Sequence, residues 1–211
     1  MVDNATETAS HEIAETATDP FGEATYVDFD TAHYAWELFT ENNDELADAC
    51  EFSDDSYYTD PELGAFVQRS WSNAAAAAGH SPCVPAPAEP YFNVTPLAPE
   101  TVTTLNTTNK PHTSNGFRVP VGMTRTFDIG FYSDAPSDDW TVAAVEGNGI
   151  DAVASPHVTA SIDPPTGNNG TTAKVSVTVS RAPTLGNQLL LTLVAKRGAT
   201  THLTSILIGA Y

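Results

Sequence analysis

Basic residues are scarce in this 211-residue chain, where eight Lys and Arg stand against 27 Asp and Glu for a formal charge of −19. The shortage is uneven. Residues 1–80 hold one basic residue, Arg69, among eighteen acidic ones, for a charge of −17, whereas residues 81–211 carry only −2. So negative a first part argues against nucleic acid or an anionic membrane as partner, since both recruit Lys and Arg. Long apolar runs are also missing. Nothing approaches the roughly 18 consecutive apolar residues of a membrane span. Met1 is followed by polar and acidic residues rather than a basic stretch and an apolar core, so no signal peptide is visible. Glycine-rich phosphate loops are absent, and Asp54, Asp55 and Asp60 do not meet the twelve-residue spacing of an EF-hand. Cysteine is limited to Cys50 and Cys83. An even pair suggests one disulfide, which would contribute about 3–4 kcal/mol by closing so long a loop. It would also imply an extracytoplasmic location. Two free buried thiols are the alternative.

What is present divides the chain in two. Residues 6–18 are helix-compatible and are stopped by Asp19-Pro20 and Gly22. His33 to Leu38 and Asp44 to Cys50 read as short helical candidates, residues 53–64 as loop, Phe66 to Trp71 as a strand, and the alanines 74–78 as helix or loop end. Six prolines between Pro82 and Pro99 then mark residues 84–100 as an extended, semi-rigid linker. Beyond it, β-branched residues alternate with polar ones, most clearly in Lys174-Val175-Ser176-Val177-Thr178-Val179. Candidate strands are 117–121, 126–132, 140–145, 157–162, 172–180, 188–195 and 202–208, separated by Gly- and Pro-containing turns. This texture predicts an all-β immunoglobulin-like or fibronectin-like sandwich over residues 101–211, with Trp140 in its core. The Cys…Trp…Cys pattern of antibody domains is absent. Residues 1–83 form an α+β part of different character.

Chemistry is concentrated in His11-Glu12-Ile13-Ala14-Glu15. Residues i and i+4 share one face of a helix, so His11 and Glu15 can point at the same ion. Glu12 is placed to act as general base on metal-bound water. The pattern is that of His-Glu-x-x-His zinc peptidases with glutamate for the second histidine, and carboxylate is an acceptable zinc ligand. The competing reading is an amphipathic helix with its acidic residues in water. His33, His80, His112, His157 and His202 lack metal-ligand spacing and read as surface or packed histidines.

Three segments add a resemblance. His11 to Pro20 resembles the "HELAE-x-x-(T/S)-(D/N)-P" segment of the EXORDIUM/phosphate-induced protein family and its bacterial secreted relatives. Glu45-Leu46-Ala47-Asp48-Ala49-Cys50-Glu51 is similar to that family's "E-I-(G/A)-D-L-C-E" segment. Val67 to Asn73, followed by Cys83, resembles its "V-Q-x-x-W-S/N" strand with a closing cysteine. The resemblance covers residues 8–83 and implies a zinc metallopeptidase-like lobe. In it His11 and Glu15 are metal ligands and Glu12 is the base. Glu45 and Asp48 are a downstream acidic pair, with Glu45 as third ligand and Asp48 either coordinating or orienting His11. Cys50 and Cys83 form the disulfide.

Family members carry a substantial domain ahead of the His-Glu helix, where this chain has ten residues. The expectation is therefore a C-terminal fragment of a secreted zinc metallopeptidase-like protein, inactive alone, with residues 101–211 as an appended module. The alternative is a non-catalytic secreted adhesion or matrix protein, whose sandwich binds a peptide or surface ligand.

Overall fold

The computed structural model describes residues 2–18, 35, 45–84, 89–105, 109–147 and 155–211, and it separates into two compact units. The expected helix at 33–38 falls outside the described residues except for Ala35, which is helical and buried.

The N-terminal unit contains helix α1 (Val2–Thr18), helix α2 (Asp48–Glu51), a 3₁₀ turn (Asp54–Ser56), strands β1 (Tyr57–Thr59) and β2 (Phe66–Gln68), and helix α3 (Asn73–Ala77). α1 runs seventeen residues because nothing in it breaks a helix, and Asp3 in its first turn complements the helix dipole. β1 and β2 pair antiparallel, Tyr57 opposite Gln68 and Thr59 opposite Phe66. This hairpin corrects the loop expected over 53–64. The Asp60 carboxylate makes the turn by accepting from the main-chain N–H groups of Glu62 and Leu63, both at 2.9 Å. Gly64 then takes the positive φ (+62°) that closes it. The alanine run becomes α3, capped by the Ser72 hydroxyl, which accepts from Ala75 N–H at 3.3 Å. Cys50 and Cys83 form a disulfide, joining α2 to the chain beyond α3.

The second unit is a β-sandwich. Its strands are β3 (Phe92–Pro96), β4 (Glu100–Leu105), β5 (Pro111–Val119), β6 (Thr124–Ser133), β7 (Trp140–Glu146), β8 (Val158–Asp163), β9 (Thr166–Gly167), β10 (Thr172–Val179), β11 (Gln188–Arg197) and β12 (Thr200–Ala210). One sheet has the order β3-β6-β10-β8 and the other β4-β5-β12-β11-β7-β9. The first order, and the run β7-β11-β12 in the second, reproduce the ABED and CFG sheets of an immunoglobulin-like sandwich. The parallel pairing of β5 with β12 places Gly116 opposite Leu207. A Cβ at Gly116 would lie 2.3 Å from the Leu207 carbonyl oxygen, so only glycine fits.

Alternation builds the core. β10 turns Ala173, Val175, Val177 and Val179 inward, and β6 turns Phe127, Ile129 and Phe131 to meet them. β11 contributes Leu189, Leu191, Leu193 and Ala195 from the opposite sheet. Trp140, on the strand equivalent to C, is buried between Phe92 and Phe131, with ring centroids 5.3 and 5.6 Å away. Phe117 stacks on Phe127 at 3.8 Å. On the far side of β12, Leu207 packs with Val102, Leu190 and Ala35.

The strand at 117–121 is shifted to 111–119, where Pro120 ends it, and β3 and β4 arise in or beside the expected linker. Proline hid β3. It is the edge strand of its sheet, and an edge tolerates the missing N–H of Pro96. Among the described residues no helix is long and apolar enough to cross a membrane.

Candidate metal centre

Helix α1 is amphipathic in the unusual sense. Its one large apolar side chain described, Ile13, is 67% exposed, whereas Ser10, His11, Ala14, Glu15 and Thr18 are turned inward. Burying a carboxylate and an imidazole in place of isoleucine costs free energy that packing does not return. The inward face is therefore the part of the unit where a ligand could repay that cost.

His11 lies at the centre of that face. Its Nε2 is 2.8 Å from Glu15 Oε1, one turn along the helix, and 3.4 Å from Asp48 Oδ1 at the start of α2. The Glu15 and Asp48 side chains are only 8% and 6% exposed. Despite its closeness to the ring, Glu15 Oε1 accepts no aligned hydrogen bond, and Asp48 Oδ2 has no donor either. Glu45 is half-buried and joins Glu15 and Asp48, with one carboxylate oxygen of each within 4.8 Å of the others. Glu12 is exposed and comes within the same distance of His11 and Glu15.

The electrostatics follow from this crowding. Burial raises Glu15 to about 7, against the pull of His11, and neighbouring carboxylates push the same way. Burial likewise raises Asp48. Burial alone would lower His11, but the Gln68 hydrogen bond and the Glu15 and Asp48 charges outweigh it, leaving the imidazole raised. All three groups therefore hold a proton more readily than usual.

The donor set suits a divalent cation. Two ligand atoms about 2.1 Å from one tetrahedral ion lie about 3.4 Å apart. The His11 Nε2 to Asp48 Oδ1 separation has that value, whereas Glu15 Oε1, 2.8 Å from the same nitrogen, is at hydrogen-bonding distance and would have to draw back to share an ion. One imidazole with carboxylates is a set zinc accepts, though more weakly than a histidine-rich one, and other divalent ions compete for it.

All the site residues read from the sequence are brought into this unit: His11, Glu12 and Glu15 on α1, Glu45 just before α2, Asp48 and Cys50 on α2, and Cys83 bonded to Cys50. Sequence reasoning missed Gln68, whose Oε1 lies 2.9 Å from His11 Nδ1. The available signal was a long polar side chain in the expected strand 66–71. The other histidines serve elsewhere. His80 is exposed, His157 pairs with Glu146 at 2.9 Å, and His202 is packed edge-on against Phe92 in the sandwich. His33 lies outside the described residues.

No family model matches this chain, and no curated protein matches it. The family resemblance of residues 8–83 therefore stands on its quoted motifs alone. Among solved structures the chain is similar to the titin M3 domain at 9% identity, over 45% of this chain and 86% of that domain. The TM-score is 0.29, too low to carry an argument, and the immunoglobulin-like arrangement rests on the strand order given above.

Proposed function

We propose that this chain is a modular extracytoplasmic protein. Its sandwich is a non-catalytic binding module, and its N-terminal unit holds a divalent cation, zinc by ligand chemistry, between His11, Glu15 and Asp48. The observation that carries the metal reading is a pair of buried carboxylates beside His11, with Glu15 Oε1 and Asp48 Oδ2 lacking an aligned hydrogen bond while Glu15 Oε1 and Asp48 Oδ1 lie 2.8 and 3.4 Å from the His11 Nε2. Asp48 is the third ligand in this reading because it is buried and nearer the ring than Glu45, which stands beside it as an outer carboxylate. When bound, the ion supplies Lewis acidity and an activated water, as in zinc hydrolases. Glu12, exposed and next to His11, is the residue placed to take up a proton there. The disulfide and the sandwich are consistent with an oxidising, extracellular setting.

Metal analysis by mass spectrometry after zinc loading and dialysis tests this. About one zinc per chain is expected, lost in His11→Ala and Glu15→Ala with the fold intact. Equal zinc in the parent and both variants would sink the assignment. Glu12→Gln separates catalysis from binding. If the centre hydrolyses peptides, this variant loses turnover while keeping its zinc. A zinc-loaded parent without turnover on a peptide panel leaves the non-catalytic binding protein as the reading.

A further inference from the structure

We infer that Gln68 is the positioning residue of this centre, setting which nitrogen of His11 faces the carboxylates. The inference rests on the metal reading above and extends it to a residue outside the ligand set.

Gln68 stands at the end of β2 and touches both ligand-bearing helical segments. Its Nε2 donates to the Ala47 carbonyl at 2.7 Å. That bond fixes the amide, because a flipped amide would set its oxygen against the Ala47 oxygen. Gln68 Oε1 is then the group 2.9 Å from His11 Nδ1, and an oxygen there can only accept. His11 must therefore carry its proton on Nδ1. In the neutral ring Nε2 is then a bare lone pair, on the side of Glu15 Oε1 and Asp48 Oδ1. Free imidazole in water has no such obligation.

The same residue also sets distances. Its main-chain N–H donates to the Ser10 hydroxyl at 2.9 Å, tying β2 to the residue before His11. Ser10 in turn donates to the Glu7 carbonyl at 2.7 Å, which holds the hydroxyl in place. Ala47 immediately precedes Asp48 and is 1% exposed. Gln68 thus spans the gap between the histidine and the carboxylate that come from different elements. Partners of this kind typically change metal affinity about ten- to hundred-fold when removed.

The test uses the full chain, with zinc affinity measured by chelator competition. The His11 tautomer is read from long-range ¹⁵N–¹H spectra of the metal-free protein at a pH where the ring is neutral, its signals identified by their loss in His11→Ala. The parent should show the proton on Nδ1. Gln68→Leu should move it toward Nε2 and weaken zinc about ten- to hundred-fold. Gln68→Glu keeps an acceptor for Nδ1–H and should restore the parent tautomer, so it carries the test if the leucine variant does not fold. Zinc bound by the parent, with affinity and tautomer both unchanged in Gln68→Leu, overturns the role of Gln68 and leaves the metal centre standing. So does a Gln68→Glu ring protonated on Nε2. A parent that binds no zinc overturns the metal reading itself, and this inference with it.

Discussion

The two units bury opposite kinds of residue. In the sandwich the interior is Trp140, Phe92, Ile129, the leucines of β11 and the valines of β10. In the N-terminal unit the buried residues described are Glu15, Ala47, Asp48, Cys50, Ser56, Ser81 and Cys83. Apolar burial contributes about 25 cal/mol per Å², so the sandwich stabilises itself. Among its described residues the N-terminal unit is held by its disulfide, its hydrogen bonds and half-buried contacts such as Tyr57 on Phe66 and Arg69 over Tyr58. The described interior of that unit holds charge, and Ile13 stays outside.

The largest effect that would break this contrast is expected in the sandwich. Trp140→Ala should destabilise that unit by about 3–5 kcal/mol, read from denaturant unfolding, since it empties the contact between Phe92 and Phe131. A loss below about 1 kcal/mol would show that the sandwich is not held by its core. Paired Cys50→Ser and Cys83→Ser substitution should cost the N-terminal unit about 3–4 kcal/mol. Hydrogen exchange should show residues 45–84 losing protection while β6, β10 and β11 keep theirs. Equal loss in both units would mean that they share one stability.

Acid sharpens the comparison by sign. Burial lowers His202 to about 4, so the sandwich gains from the neutral ring above about 6.5, the unfolded value, and loses that gain as pH falls toward 4. The loss reaches about 3 kcal/mol, and His202→Gln should flatten it, as a pH series of unfolding curves would show. In the N-terminal unit His11, Glu15 and Asp48 are all raised. Their folded forms favour the proton, so the metal-free unit should instead gain as pH falls through about 7, the Glu15 value. Hydrogen exchange at residues 45–84 in a chelator checks it, and a fall in protection would contradict the cluster. The smallest effect belongs to the exposed pair Arg125 and Glu100, 2.8 Å apart. Glu100→Gln should change stability by less than about 1 kcal/mol, and a larger change would give surface charge a weight the sandwich is not expected to need.

How much of this was legible depended on which force shaped each segment. The valines of β10 announced a half-buried strand because burial enforces a period of two, and the longer strands from 124 onward followed, whereas the two-residue β9 (Thr166–Gly167) lay hidden at a turn. β3 was hidden because an edge strand accepts the prolines that otherwise mark a linker. β4, rich in threonine, alternates too weakly in hydrophobicity to stand out. At the candidate centre the local part was readable, since His11 and Glu15 are four residues apart on one helix. The nearness of Asp48 was implied by motif resemblance rather than by spacing. Gln68 was not legible as a site residue, because its role depends on β2 lying against α1 fifty-seven positions away in sequence.

The disulfide ties the candidate centre to the redox state of its surroundings. Asp48 lies two residues before Cys50, and Cys50 is fastened to Cys83, thirty-three positions later. The disulfide is one restraint on that carboxylate, beside the Gln68 bond to the Ala47 carbonyl. In a reducing compartment the proposed ion would meet a looser ligand than in an oxidising one.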